Sequence, residues 1–180
     1  MTSGGLSKYS KGAIAFHWII ALLVITNIGL AELTEDLTKA ERGPYMDLHK
    51  SFGICVLFLT LARLGWRWTH PRPSLPSALA SWEKAISKLV HFLFYLLLIG
   101  LPLGGWLWMS TYGDKAAVSM FGLFNMPVLP VVGNEALGDM VHEGHEVGGK
   151  VMLGLVIVHI LAALKHQFID KMPFIQRMWP

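Results

Sequence analysis

Long apolar runs separated by short polar clusters organise this chain. Four of them have transmembrane length, about Ala13–Ala31, Leu48–Trp68, Leu89–Met109 and Val147–Lys165, against the roughly 17–25 residues a helix needs to cross a bilayer. The first and third are the cleanest. The second opens on His49 and Lys50, and the fourth follows the polar run HEGHE. Polar groups at membrane depth usually face a bundle interior or a cofactor. The pattern therefore predicts an all-α, integral membrane four-helix bundle, with residues 1–180 forming a single transmembrane domain.

Composition agrees with that reading. Apolar residues make up 53% of the chain and charged residues 15%, a larger apolar share and a smaller charged share than soluble domains carry. The first apolar run is long, contains His17 and has no small-residue cleavage site at its end, so it reads as a retained first helix and not as a removable signal peptide. One cysteine, Cys55, excludes an internal disulfide framework and an all-cysteine cluster.

The charges between the runs orient the bundle. Lys8 and Lys11 precede the first run. The second connection carries Arg63, Arg67, Arg72, Lys84 and Lys88 against Glu83, and the tail carries Lys165, Lys171 and Arg177. The first connection instead holds Glu32, Glu35, Asp36, Glu41 and Asp47, with only Lys39 and Arg42. The third holds Asp114, Glu135, Asp139 and Glu143, with only Lys115. Basic flanks stay on the cytoplasmic side, so both termini are expected there, as an even number of spans also requires. The net charge of +3 is thus explained by topology, and no nucleic-acid partner is expected. Pro71, Pro73 and Pro76 stop the second helix. The partly apolar third connection, AAVSMFGLFNMPVLPVV, is expected on the outer membrane surface or folded back over the bundle.

Depth sorts the eight histidines. His17 begins an outward-running helix and lies toward the cytoplasm, whereas His49 begins an inward-running one and lies toward the outside. His145 and His159 share the fourth helix. Their fourteen-residue separation corresponds to about 21 Å of rise and leaves about 40° between the side chains. One helix thus offers two imidazoles on nearly one face at two depths. His49 pairs with His145 on the outside, and His17 pairs with His159 on the inside. Two stacked bis-imidazole sites suit two b-type haems, whose irons take an axial imidazole on each face. With both axial positions filled, electron transfer is expected rather than oxygen chemistry. Gly53 and Gly149 follow His49 and His145 by one turn and leave room for a flat macrocycle, although small residues also serve plain helix packing in membranes.

The other candidates have plainer readings beside the functional ones. His142 lies about 100° from the His159 direction and is the poorer outer ligand. His91 competes with His17 as inner ligand, His17 being preferred, and otherwise would hydrogen-bond a haem propionate or a quinone carbonyl. His70 and His166 belong to basic interfacial flanks. HEGHE spaces its histidines by three, so it is not the H-E-x-x-H zinc motif. Arg63 and Arg67, four apart, suit a bidentate clamp on haem propionates or serve only as topogenic charge.

These residues resemble the bacterial cytochrome b561 family of small di-haem membrane proteins. The resemblance covers most of the chain. It rests on His17-Trp18, on LHKSFG around His49, on RLGWRWTHPRP and on HFLFYLLLIGLPLGG. It also rests on HEVGGKVMLGLVIVH, which has the family's spacing between its histidines, and on FGLFNMP. The resemblance implies His17, His49, His145 and His159 as axial ligands of two haem b groups, in a multi-pass protein of the bacterial inner membrane. It also implies quinone chemistry. Some members are superoxide oxidases that reduce ubiquinone, whereas other relatives relay electrons between a soluble partner and quinone. The leading expectation is electron transfer from a periplasmic donor, preferably superoxide, to membrane ubiquinone, with Lys115 and Lys50 steering the anion. An electron-relay subunit serving a periplasmic cytochrome or dehydrogenase is the nearer alternative, and a histidine-lined metal transporter the more distant one.

Overall fold

A computed structural model describes residues 8–70, 73–74, 79–113 and 117–180. Four long helices dominate: α1 (Lys11–Glu32), α2 (Lys39–Thr69), α3 (Ser81–Thr111) and α4 (Glu135–Leu164). All four are long and apolar enough to cross a membrane; the first three predicted spans lie inside α1, α2 and α3, and the fourth runs through α4 to Lys165 just beyond it. A π turn, Lys165–Ile169, prolongs α4, and a short α5 (Phe174–Arg177) follows.

Three helices begin well before their apolar runs, because local signals start them in polar sequence. Thr38 caps α2 in a reciprocal box with Glu41, satisfying backbone donors that the first turn leaves unpaired. The helix then runs through Pro44 into the apolar segment. Asn134 caps α4 by accepting from the Leu137 amide, so HEGHE forms part of that helix and does not precede it. α3 starts at Ser81, which moves His91 from the helix start to its third turn.

The bundle is layered unevenly. α1 packs on α2, α2 on α3 and α3 on α4, whereas α4 stands away from both α1 and α2. One buried residue from each helix fills the middle: Ile20, Val56, Leu98 and Met152.

The third connection folds back over one end of the bundle, as one of the two alternatives anticipated. Its hairpin pairs β1 (Ser119–Met120) with β2 (Phe124–Asn125), and Val118 and Met120 bury themselves against Ile54 of α2. Ser51 fastens it. Its hydroxyl lies 2.9 Å from the Asp47 and Ser119 carbonyl oxygens and accepts from the Phe121 amide at 3.1 Å. Phe121 has φ 54° and Gly122 φ 74°, so the turn needs that anchorage to hold a bulky residue in the left-handed region. Ser51→Ala removes the donor to the Ser119 carbonyl and the acceptor of the Phe121 amide. It is expected to cost about 1–3 kcal/mol, read as a lower melting temperature and faster proteolysis of the 117–133 segment.

At the opposite end the start of α1 meets the segment around α5. The Trp18 indole donates to the Met178 carbonyl at 2.6 Å, and Tyr9 N–H donates to the Arg177 carbonyl at 3.2 Å. Lys165 bridges Glu83 of α3 (3.0 Å) and Asp170 (2.8 Å), tying the ends of α3 and α4 together.

Candidate haem site

The histidines reach across the gap beside α4. His49 and His145 stand with ring centroids 6.1 Å apart, and His17 and His159 stand 6.2 Å apart. Two imidazoles that bind one ion from opposite sides, at about 2 Å per metal–nitrogen bond, place their centroids roughly 6 Å apart. Both distances match that spacing, with the rings inclined to each other by 65° at the outer pair and 71° at the inner one.

Backbone carbonyls set the outer pair's tautomers. His49 Nδ1 lies 3.1 Å from the Asn27 carbonyl oxygen, and His145 Nδ1 lies 3.0 Å from that of Leu101. A carbonyl oxygen only accepts, so each Nδ1 carries the proton and each Nε2 presents its lone pair. Metal-bound histidines are generally oriented in this way. Each carbonyl comes from a helix other than the histidine's own, so helix packing aims both rings.

The inner end gathers three imidazoles. His91 stands 5.9 Å from His159, and its Nδ1 lies 2.6 Å from the Ser87 carbonyl oxygen. His17 and His159 are half-buried, whereas His91 is exposed. His142 is exposed and stacked on Trp108 at 4.0 Å, away from the His49–His145 pair. His70 stacks on Trp66 and His166 lies 2.7 Å from Asp170, so neither enters the gap.

Glycines and orphaned polar atoms test whether a cofactor fits. A Cβ added at Gly149 would meet nothing within 4 Å, and one at Gly53 only the Asn27 amide at 3.6 Å, although both positions are half-buried. Close helix contact therefore does not require a glycine at either position. Gly148 does, since a Cβ there would come within 2.7 Å of Leu101, and so does Gly138 against Thr111 at 2.8 Å. Among the described residues, three buried side-chain polar atoms lack partners: Asn27 Oδ1, Arg42 Nε and Thr60 Oγ1. Asn27 belongs to the His49 level through its carbonyl. His17 is ten residues further back on α1, about 15 Å lower, which places it opposite residue 59 of α2 and beside Thr60. The paired imidazoles, with the open glycines and Asn27 Oδ1 at the outer level and Thr60 Oγ1 near the inner one, fit a flat, partly polar group at each level.

Beyond the inner histidines, a cleft of ≈ 340 Å³ is lined by Arg63, Arg67, Lys84, Lys88, His91 and Tyr95, among others. Arg63 and Arg67 both lie over the Tyr95 ring, at 5.9 and 5.6 Å. The structure thus brings together the two arginines and His91 singled out in the sequence. At the other end, Lys50 is paired with Asp47 at 2.7 Å, which offsets its charge as a steering group. Lys115 lies outside the described residues. Sequence reasoning passed over Arg42, Asn27 and Thr60. Arg42, His49, Val56 and Arg63 recur at heptad spacing, which marks one stripe of α2 once the helix is continuous from Lys39.

Imidazole pairs at the spacing of a shared metal ion, in a bundle of helices long and apolar enough to cross a membrane, suit one class of protein, the membrane-embedded haem proteins that carry electrons. The family follows from comparison with known proteins. Residues 8–180 match the family model described as prokaryotic cytochrome b561, and the chain belongs to that family. It is 30% identical to cytochrome b561 homolog 2 of Escherichia coli K12 over 95% of this chain and 90% of that protein. It is 29% identical to the probable superoxide oxidase CybB of Yersinia pestis, over 96% of each. Cytochrome b562 of Cereibacter sphaeroides is 28% identical over 94% of each. The chain is therefore a haem b-binding, multi-pass electron-transfer protein of the bacterial inner membrane, and the metal-transporter alternative is set aside.

Proposed function

We propose that this protein is a di-haem cytochrome that moves electrons from a periplasmic donor, superoxide by preference, to ubiquinone in the bilayer. Two histidine pairs at separate depths, each with the spacing of a shared metal ion, carry this reading. His49 and His145 hold the outer haem, and His17 and His159 the inner one, with both termini cytoplasmic. His17 is preferred to His91 because it is half-buried in the gap. When bound, haem supplies a one-electron iron couple; the protein supplies ligation, orientation and electrostatics. Gly53 and Gly149 admit the outer ring. Arg63 and Arg67 neutralise the inner propionates, and His91 donates to a propionate or to a ubiquinone carbonyl. Lys50 and Lys115 draw the anion toward the outer end.

The overall reaction balances as two superoxide anions, one ubiquinone and two protons giving two dioxygen molecules and one ubiquinol. Purified holoprotein given a superoxide source and a short-chain ubiquinone is expected to form ubiquinol at a rate proportional to superoxide supply, with superoxide dismutase abolishing the signal. Ubiquinol formation no faster than in protein-free controls would remove superoxide as the donor.

One observation favours a second reading. Lys50 is compensated by Asp47, and Glu32, Glu35 and Asp36 lie at the same end of the bundle. An acidic surface recruits a basic protein donor better than an anion. In that case a periplasmic cytochrome c or a dehydrogenase supplies the electrons, and reduction of the haems by such a protein depends steeply on salt.

A further inference from the structure

Arg42 sits in the second turn of α2, in a stretch that by sequence reads as a surface connection. The helix reaches back to Lys39, and this puts Arg42 seven residues before His49. Seven residues are two turns, so the two side chains share a face about 10 Å apart along the axis. Arg42 is only partly exposed. Its Nη2 donates to the Ala31 carbonyl at 3.3 Å, which folds the side chain inward across the end of α1. Its Nε is buried and has no partner, and no carboxylate of the described residues pairs with it. A guanidinium is always charged and presents its N–H groups as a planar fork suited to a carboxylate. Leaving such a donor buried and unpaired is costly, which implies a partner that the polypeptide does not itself provide.

The same stripe continues through Val56 to Arg63, so α2 offers a guanidinium beyond each histidine level. Asn27 Oδ1, the other orphaned atom at the His49 level, lies on the same side of the gap. A haem ligated through His49 would carry its two carboxylates on the rim of the ring, and Arg42 is the cation two turns along the ligating face.

We propose that Arg42 is the carboxylate anchor of the outer haem, binding a propionate through its orphaned Nε and a neighbouring N–H. The proposal rests on the reading that an outer haem is held by His49 and His145. Arg42 acts by positioning and by charge. A cation beside the rim favours the reduced iron, which carries one positive charge less, so Arg42 raises the outer haem's potential.

Redox titration of full-length holoprotein tests this, the outer haem being identified as the one lost in His145→Ala. In Arg42→Gln, the reduced-to-oxidised ratio of the outer haem at the wild-type midpoint is expected to fall about tenfold, about 59 mV for a one-electron couple. The inner haem should not move, and Arg42→Lys should recover at least half of the shift. An unchanged outer potential in Arg42→Gln, an equal shift of both haems, or no recovery in Arg42→Lys overturns the proposal. A fall in superoxide-driven rate at unchanged potential also overturns it, because Arg42 would then serve an incoming anion. Should Arg42→Gln not retain the outer haem, titration of apoprotein with haemin takes over as the readout. Tighter binding in Arg42→Lys than in Arg42→Gln supports the anchor, and equal binding overturns it. A wild type without an outer haem would sink the di-haem reading and this proposal together, whereas an outer haem indifferent to Arg42 sinks only the anchor.

Discussion

Protein carrying His145→Ala is expected to retain one haem b per chain where the wild type retains two, with the survivor low-spin and bis-imidazole. The outer site is built from a pair of rings aimed by carbonyls on neighbouring helices, Asn27 for His49 and Leu101 for His145. Removing one ring leaves a five-coordinate iron and deletes the hydrogen bond that holds α4 to α3 at that level. Loss of the group that accepts a hydrogen bond from a metal-bound histidine commonly lowers metal affinity by roughly 10–100-fold, so loss of the ligand itself should exceed that and empty the site during purification. His49→Ala should lose the same haem. His159→Ala should lose the other, because Met152 and its layer separate the two levels. Pyridine haemochrome content with low-temperature spectra reads all three. His91 and His17 are separated by the same assay. His17→Ala should cost the inner haem, whereas His91→Ala should keep both. The reverse result would make His91 the inner ligand and leave the outer site as described.

Gly149→Leu is the second large effect expected. A Cβ at this position meets no protein atom within 4 Å, so in protein without cofactor the substitution is expected to disturb little. In the holoprotein the isobutyl group would occupy the space beside His145 that the haem ring needs. The outer haem should be lost or its affinity cut by at least tenfold, while the helical content and the inner haem persist. Gly148→Leu is the control with opposite character. A Cβ there runs into Leu101, so it should separate α4 from α3 and lower the melting temperature of the whole bundle. Overpacking of this kind typically costs about 1–3 kcal/mol. If Gly149→Leu bound both haems normally, the space beside it would be lipid-facing and the glycine a matter of chance.

Helix length and polarity made the bundle legible, because crossing a bilayer imposes a continuous apolar run. Fourteen residues between His145 and His159 fix both their axial separation and their common face, so the paired levels were legible too. Helix starts were not read correctly where caps, and not apolar periodicity, decide them. Thr38 and Glu41 form a capping box visible in the sequence, yet the charged stretch after them looks like a loop when hydrophobicity alone is followed. That misreading hid Arg42, whose position on the His49 stripe exists only once α2 is continuous from Lys39.

The sequence by itself determined four spans, the two histidine levels on α4 and the candidates that face them, since these depend on helical period and membrane thickness alone. Tertiary structure decided the rest. It separated open Gly149 from packed Gly148, adjacent residues whose roles depend on which neighbour each meets. It assigned protons to the His49 and His145 nitrogens through carbonyls 22 and 44 residues away. It also left Arg42, Asn27 and Thr60 without partners. Whether a buried polar group is satisfied depends on every element packed around it, and no stretch of sequence contains that information.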